Sequence, residues 1–272
     1  MATYNGEAYL RAQLDSLLRQ TYIDWFLYVH DDGSTDQTCT ILREYAEANS
    51  GKIKLLDYPA KGGACRNFMS ILEQVDSDYY MFCDQDDVWL PNKIEVEMKA
   101  MKEAENRHPS QAIVIATDLN VVDAELKMQH ESLWQEAGIY PQYIRTFDEM
   151  AANTLVTGCT MLFNQQAKEL IRPISRHTVM HDGWVALCVR KGGGLVECLP
   201  IRTVLYRQHG RNTLGAQDVS HLTIADRIQR LPVSWRVNRG IYRMLCDLEY
   251  GSVLKYAYYK YLYHRRIRSE QY

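Results

Sequence analysis

The sequence predicts an α/β fold, a mostly parallel sheet with flanking helices, followed by a C-terminal helical extension. Three observations predict it. Short apolar runs alternate with helical patterns through the first two-thirds of the chain, at the spacing of βαβ units. Polar clusters recur directly behind apolar runs, where an open parallel sheet binds its ligands. From residue 222 onward apolar positions recur at helical spacing.

The elements follow in order. "MATYNGE" reads as the end of a strand and its turn, with the body of the strand missing or very short. Leu10, Leu14, Leu17 and Leu18 repeat at helical spacing, and "WFLYVH" (25–30) follows as a buried strand. "TDQTCTILREYAEA" opens on polar capping residues and continues as a helix. Strand "IKLLDY", helix "CRNFMSILEQV", strand "YYMFC" and helix "PNKIEVEMKAMKEAE" come next, with Pro91 suited to a first helical turn. Part of "AIVIATDLNVV" supplies a further strand and completes one sheet of at least four. Beyond about residue 125 the rhythm becomes mixed: strand "TGCTMLF", helices "NQQAKELI" and "HDGWVALCVR", and strand "IRTVLYRQH". In the tail, Ile224, Ile228, Leu231, Val237, Ile241, Leu245, Leu248, Leu254, Tyr258 and Tyr261 mark the apolar face of helices.

Composition narrows the class. The 272 residues are 46% hydrophobic and 24% charged, as in ordinary globular proteins. The net charge of -3 is divided: residues 222–272 carry ten Lys and Arg against four Asp and Glu, or +6, and residues 1–221 carry the remaining -9. Seven scattered cysteines without a C-x-x-C pair argue against a disulfide framework and a thiolate zinc site, and point to a reducing cytoplasm. No apolar run approaches the ~18 residues that span a bilayer, and no signal-peptide pattern opens the chain. "NGEAYL" lacks the second glycine of a dinucleotide-binding turn, and no phosphate-binding G-x-x-x-x-G-K-[ST] occurs, so dehydrogenase and P-loop chemistry are set aside. No nucleic-acid partner is expected.

Three polar clusters fall at strand ends: "TYNGE" (3–7), "HDDGSTD" (30–36) and "CDQDD" (83–87). In the second, the plainer reading is a loop whose Ser34, Thr35 and Asp36 cap the next helix; the functional one has Asp31 or Asp32 accepting hydrogen bonds from a nucleobase or ribose. In the third, Asp84 and Asp86 alternate about a strand end and suit two different groups, ribose hydroxyls and a hard divalent cation. Asp87 reads as ordering the turn ahead of Pro91.

The stretches "MATYNGEAYL", "DDGSTDQT", "NFMSILEQVDSDYYMFCDQDDVW", "TGCTMLFN", "MHDGWVAL" and "YRQHGRN" occur in the order found in bacterial family 2 glycosyltransferases. The chain resembles that family over roughly residues 1–215, and the DQDDVW and YRQHG forms look most like its rhamnosyltransferase branch. The resemblance implies a GT-A, Rossmann-like domain over 1–221, with a donor half to about 120 and an acceptor half over 121–221. Residues 222–272 form a basic amphipathic helical extension outside any motif.

It also implies roles. Thr3, Tyr4 and Glu7 would line the base pocket, with Asp31 or Asp32 on the pyrimidine, and Arg66, Asn67 and Gln85 would add donors. Asp84 would meet the ribose, and Asp86 would ligate Mn²⁺ or Mg²⁺ on the donor diphosphate. His209 would reach the metal or diphosphate, with Arg207, Arg211 and Asn212 near phosphate oxygens. Asp182 would be the catalytic base, for which a helix cap is the plainer reading. Trp184 would stack on an acceptor sugar, although a lone Trp on a helix is more often core. The implied reaction is metal-dependent, inverting transfer from dTDP-rhamnose, or a UDP-hexose, to a cell-surface or lipid-linked glycan. A non-catalytic sugar-nucleotide or polysaccharide-binding module is the alternative, and it would not need Asp182. The basic tail suits peripheral contact with the inner face of the cytoplasmic membrane, or packing on the core.

Overall fold

The computed structural model describes residues 1–153, 155–209 and 238–270. The chain opens with β1 (Ala2–Thr3), α1 (Leu10–Leu18), β2 (Leu27–Asp31), α2 (Thr38–Ala48) and β3 (Ile53–Leu55), whose strands form a parallel sheet in the order β1-β2-β3. It continues through α3 (Ala64–Gln74), β4 (Tyr79–Met81), β5 (Val88–Trp89), α4 (Lys93–Arg107) and β6 (Ile113–Val122). Then come β7 (Met128–His130), α5 (Leu133–Glu136), α6 (Phe147–Ala152), β8 (Met161–Asn164), α7 (Gln165–Leu170), α8 (His181–Lys191) and β9 (Leu195–Arg207). Residues 238–247 form α9, and Val253–Glu270 form α10.

The second sheet runs β4-β8-β6-β9-β5, with β7 also on β6. Here the ladders differ from the single parallel sheet expected. β6 and β9 are parallel, but β8 pairs antiparallel with both β4 and β6, and β5 pairs antiparallel with β9. Local rhythm reveals βαβ units but not the direction of a strand such as β8, which arrives about 80 residues after β4 and enters beside it in reverse. Among the described residues β1 pairs only with β2 and β4 only with β8, so each of the two strands ends its sheet.

β6 shows why the second sheet is central. Ile113, Val114, Ile115 and Ala116 are wholly buried, the continuous apolar run of a strand covered on both faces. Val114 and Ala116 point into one core with Phe68 and Leu72 of α3 and Val185 of α8. Ile113 and Ile115 point into another with Leu14 of α1 and Met101 of α4. Helices therefore cover both faces and leave the strand ends open.

The tail joins the first of these cores. Met244, Leu245, Leu248, Tyr250, Tyr256 and Tyr263 are buried in it, and α10 packs along α6. The expected apolar stripe is corrected in part: Leu254, Tyr258 and Tyr261 are 78%, 56% and 62% exposed, and Tyr256 and Tyr263 turn inward instead. Two tyrosine rows share the same helical spacing, so periodicity cannot choose between them. Ile224, Ile228, Leu231 and Val237 lie outside the described residues.

Candidate active site

The three strand-end clusters meet around a cleft of about 1260 Å³. Thr3, Tyr4, Asp32, Asn67, Asp84, Gln85, Asp86 and His209 line it together with Gly62 and Gly63. Thr3 and His209, at opposite ends of the domain in sequence, thus share one surface.

The first two loops are stitched to each other. Thr3 Oγ1 donates to Asp31 Oδ2 at 2.9 Å, and the backbone and hydroxyl of Ser34 donate to Asp31 at 2.7 and 2.6 Å. Burial pushes the Asp31 carboxyl up, but these donors outweigh it and hold it below the usual range. Asp31 therefore orders the loop and does not line the cleft. Asp36 accepts from the backbone and hydroxyl of Thr38, the first residue of α2, whereas Ser34 serves Asp31 and the N-cap is Gln37. Asp32 does reach the cleft, where its two oxygens accept from the backbone amides of Lys61, Gly62 and Gly63. The turn curls around it because Gly62 and Gly63 adopt φ of 75° and 121°.

Gln85 is used differently from the expectation. Its Oε1 accepts from Tyr4 N and its Nε2 donates to Tyr4 O, both at 2.9 Å, so the amide clasps the backbone of the first loop. Gly6 permits this, since a Cβ there would lie 2.2 Å from Gln85 Oε1. Asn67 is buried and bonds His30 through both ends of its amide, at 2.6 and 3.1 Å.

The carboxylates of the third cluster have distinct surroundings. Burial, then the charges of Asp86 and Asp182, push Asp84 up to about 7. Asp86 Oδ2 lies 2.8 Å from His209 Nε2, whose ring packs on Tyr9. Asp87 is wholly buried and accepts from Arg207 N at 3.1 Å, the structural part read for it. Asp182, in the first turn of α8, accepts from Gly158 N at 3.0 Å and from Gly183 N at 2.6 Å. It is not the N-cap, which is Met180.

Arg66 is exposed and, like Asp182, stands outside the cleft lining. Three expectations are corrected. Glu7 lies outside the lining and accepts from Gln37 N, at the start of α2. Trp184 is 1% exposed, with its indole N–H donating to Arg172 O at 2.8 Å, so it is core and offers no sugar-stacking face. Arg207 is a buried strut: it donates to Asp86 O at 2.8 Å and lies over the Tyr9 ring. Arg211 and Asn212 lie outside the described residues. Sequence reasoning missed the Gly62–Gly63 turn, for which the doubled glycine was the available signal.

The residues fit a hard divalent cation. Asp84 and Asp86 bring two carboxylates to the cleft, and His209 adds a nitrogen beside Asp86.

An α/β sheet with three loops converging on paired carboxylates at its strand ends defines the GT-A class of glycosyltransferase. Solved structures agree at the level of fold. The mannosyltransferase PcManGT from Pyrobaculum calidifontis, in complex with GDP-Man and Mn2+, superposes with a TM-score of 0.59 at 16% identity, over 78% of this chain and 56% of that one. S. aureus TarS 1-349, in complex with UDP-GlcNAc, gives 0.56 at 18%, over 82% and 60%. The model of "Glycosyl transferase family 2" matches residues 1–170. The chain is 30% identical over 227 residues to dTDP-rhamnosyl transferase RfbG of Shigella flexneri, covering 79% of this chain and 74% of that protein. It is 35% identical over 101 residues to UDP-Glc:alpha-D-GlcNAc-diphosphoundecaprenol beta-1,3-glucosyltransferase WfgD of Escherichia coli, covering 37% and 39%. The chain belongs to glycosyltransferase family 2, is rhamnosyltransferase-like, and is a glycosyltransferase.

Proposed function

We propose that the protein is a metal-dependent, inverting glycosyltransferase that moves rhamnose from dTDP-rhamnose to a cell-surface or lipid-linked glycan. The observation that carries this reading is the meeting of Asp84, Asp86 and His209 at one end of the cleft, with the charge of Asp182 acting on Asp84. Thr3, Tyr4 and Asp32 face the donor's base, and Asp84 its ribose. Asp86 and His209 would hold Mn²⁺ or Mg²⁺, which would supply positive charge against that developing on the departing diphosphate. Asp182 takes the proton of the acceptor hydroxyl as that oxygen bonds to the anomeric carbon and the bond to the diphosphate breaks. The backbone donors Gly158 and Gly183 fix the direction of its carboxylate. One displacement inverts the centre. A non-catalytic binding module would not need this carboxylate.

The donor follows the relative matched along most of its length, a dTDP-rhamnosyl transferase, with a UDP-hexose second. Among the described residues no helix is long and apolar enough to cross a membrane. The exposed row Leu254, Tyr258 and Tyr261, continued by Arg265 and Arg268, supports peripheral contact with an anionic surface. We place the enzyme at the cytoplasmic side of that surface.

Calorimetry with dTDP-rhamnose, UDP-glucose and UDP-GlcNAc, with Mn²⁺, Mg²⁺ or EDTA, tests the reading. dTDP-rhamnose should bind most tightly and only with cation. Cation-independent binding removes the metal, and tighter binding of a UDP-sugar replaces the donor.

A further inference from the structure

The segment that leads into α8 is knotted onto the tail. Ser175 Oγ donates to Asp247 Oδ2 of α9, and His177 Nδ1 lies 3.2 Å from the same oxygen. His177 N donates to Ser175 Oγ at 2.9 Å, and Ser175 N donates to Thr178 Oγ1 at 3.0 Å. Farther along, a Cβ built on Gly240 would stand 3.9 Å from Val179 Cγ2, so α9 lies against the segment at a second point. Arg176 sits between two residues fastened to Asp247, and its main chain is fixed by them.

Beside the knot is a cavity of about 550 Å³, lined by Arg176, His177, Arg243, Cys246 and Asp247. Arg243, Cys246 and Asp247 stand at i, i+3 and i+4 and share one face of α9. The charges of the lining are unequally engaged. The Ser175 hydroxyl, then the His177 ring and the charge of Arg176, outweigh burial and hold the Asp247 carboxyl below its usual range. Arg176 and Arg243 are exposed, and neither makes a hydrogen bond or an ion pair with a described residue. Two guanidinium forks therefore open on one cavity, the donor shape that matches phosphate oxygens.

We propose that this cavity binds the acceptor's phosphate groups, the diphosphate joining a lipid-linked glycan to its lipid, with Arg176 and Arg243 as forks and His177 Nε2 as a third donor. The inference rests on Asp182 as the base that meets the acceptor hydroxyl. Arg176 and Asp182 are six residues apart, so their main chains stand no more than about 20 Å from each other. That span leaves room for a short glycan between the anchored phosphate and the attacking hydroxyl. The donor cleft shares none of these lining residues. Without a cation its carboxylates Asp32, Asp84 and Asp86 repel a diphosphate, which separates the two sites in a binding experiment.

Calorimetry in EDTA with octyl diphosphate, inorganic pyrophosphate and dTDP tests the site. Octyl diphosphate should bind, and Arg176→Gln and Arg243→Gln should each weaken it by at least about tenfold. Arg19→Gln, which removes the same charge at an exposed position outside the lining, should not. Absent binding, unchanged binding in both lining variants, or equal loss with Arg19→Gln overturns the site. Displacement by dTDP puts octyl diphosphate in the donor cleft and overturns it as well. Binding of pyrophosphate with rejection of octyl diphosphate overturns the acceptor's phosphate in favour of a free one. In transfer to a lipid-linked glycan, the two lining variants should raise acceptor KM by about tenfold or more with donor Kd unchanged. An unchanged KM overturns the acceptor role. Failure of the donor reading would show separately, as wild-type protein that binds no nucleotide sugar with cation, a measurement the EDTA isotherms do not use.

Discussion

Asp86 and His209 stand 123 residues apart in sequence and 2.8 Å apart in space, joined carboxylate to imidazole in the lining of the cleft. β9 delivers His209 to this point because its last residues run beside β6 and past Asp87, where Arg207 is fastened through both backbone and side chain. The pair is thus placed by a buried scaffold.

The first prediction concerns cation affinity. Even outer partners of a metal ligand are worth about 10- to 100-fold in affinity. Asp86→Ala and His209→Ala should each lower Mn²⁺-dependent nucleotide affinity by at least about tenfold, read by calorimetry. An unchanged isotherm for either variant removes that residue from the ligand set.

Asp182→Asn keeps the size of the side chain but not its basicity. kcat should fall by about 10²- to 10⁴-fold, the usual range for a general base, with donor Kd unchanged. Transfer at near wild-type rate would mean another group takes the proton.

Gly6→Ala drives a methyl group into the Gln85 amide and breaks its clasp on Tyr4. The expected cost is about 1–3 kcal/mol in stability, with a raised KM for the donor. Adding Gln85→Ala should recover stability but not KM. If the double variant also regains KM, the clasp has no part in donor binding.

Lys93 and Glu97 form an ion pair with no solvent exposure, and Thr117 and Thr203 donate to the same Glu97 oxygen. Burial pushes the Glu97 carboxyl up despite the lysine. Lys93→Met should cost about 3–5 kcal/mol in urea unfolding, because a lone buried carboxylate remains. Lys93→Met with Glu97→Leu should recover most of it; a double variant no better than the single would show that packing, not charge, is lost.

His181 is buried between Phe68 and Phe82, neither of its ring nitrogens has a hydrogen-bond partner among the described residues, and burial lowers its pKa to about 4. The folded state keeps it neutral, whereas the unfolded chain takes a proton near pH 6.5. Its contribution is therefore intact above pH 6.5 and lost as pH falls from 6.5 to about 4, by about 3 kcal/mol in all. His181→Phe should gain stability relative to wild type across that window. Parallel stability curves for the two proteins from pH 7 to 4 would refute the assignment.

The strand-end clusters were legible because βαβ periodicity tells where strands stop, and open sheets bind at those ends. Asp84 and Asp86 therefore emerged from residue types and order, whereas His209 came from the family resemblance. What stayed hidden depends on side-chain direction and on distant pairing. Gln85 carries donors suited to a nucleotide yet spends them on Tyr4, and Arg207 spends its guanidinium on main-chain oxygens. Lys93 and Glu97 have the spacing of a solvated helical pair but sit where α4 faces the core. Thr146 and Glu149 form a capping box at α6 that is present in the sequence as T-x-x-E, in a stretch for which no helix was read.

The packing of α10 bears on chimera design within the family. Tyr263 accepts from Tyr140 N and donates to Gly138 O, Lys255 pairs with Asp148, and Arg266 pairs with Glu149. A cassette exchanged at residue 221 would set a foreign helix on these partners and strand Glu149 beside it. Recombinants that move residues 138–152 and α10 together keep lock and key from the same parent.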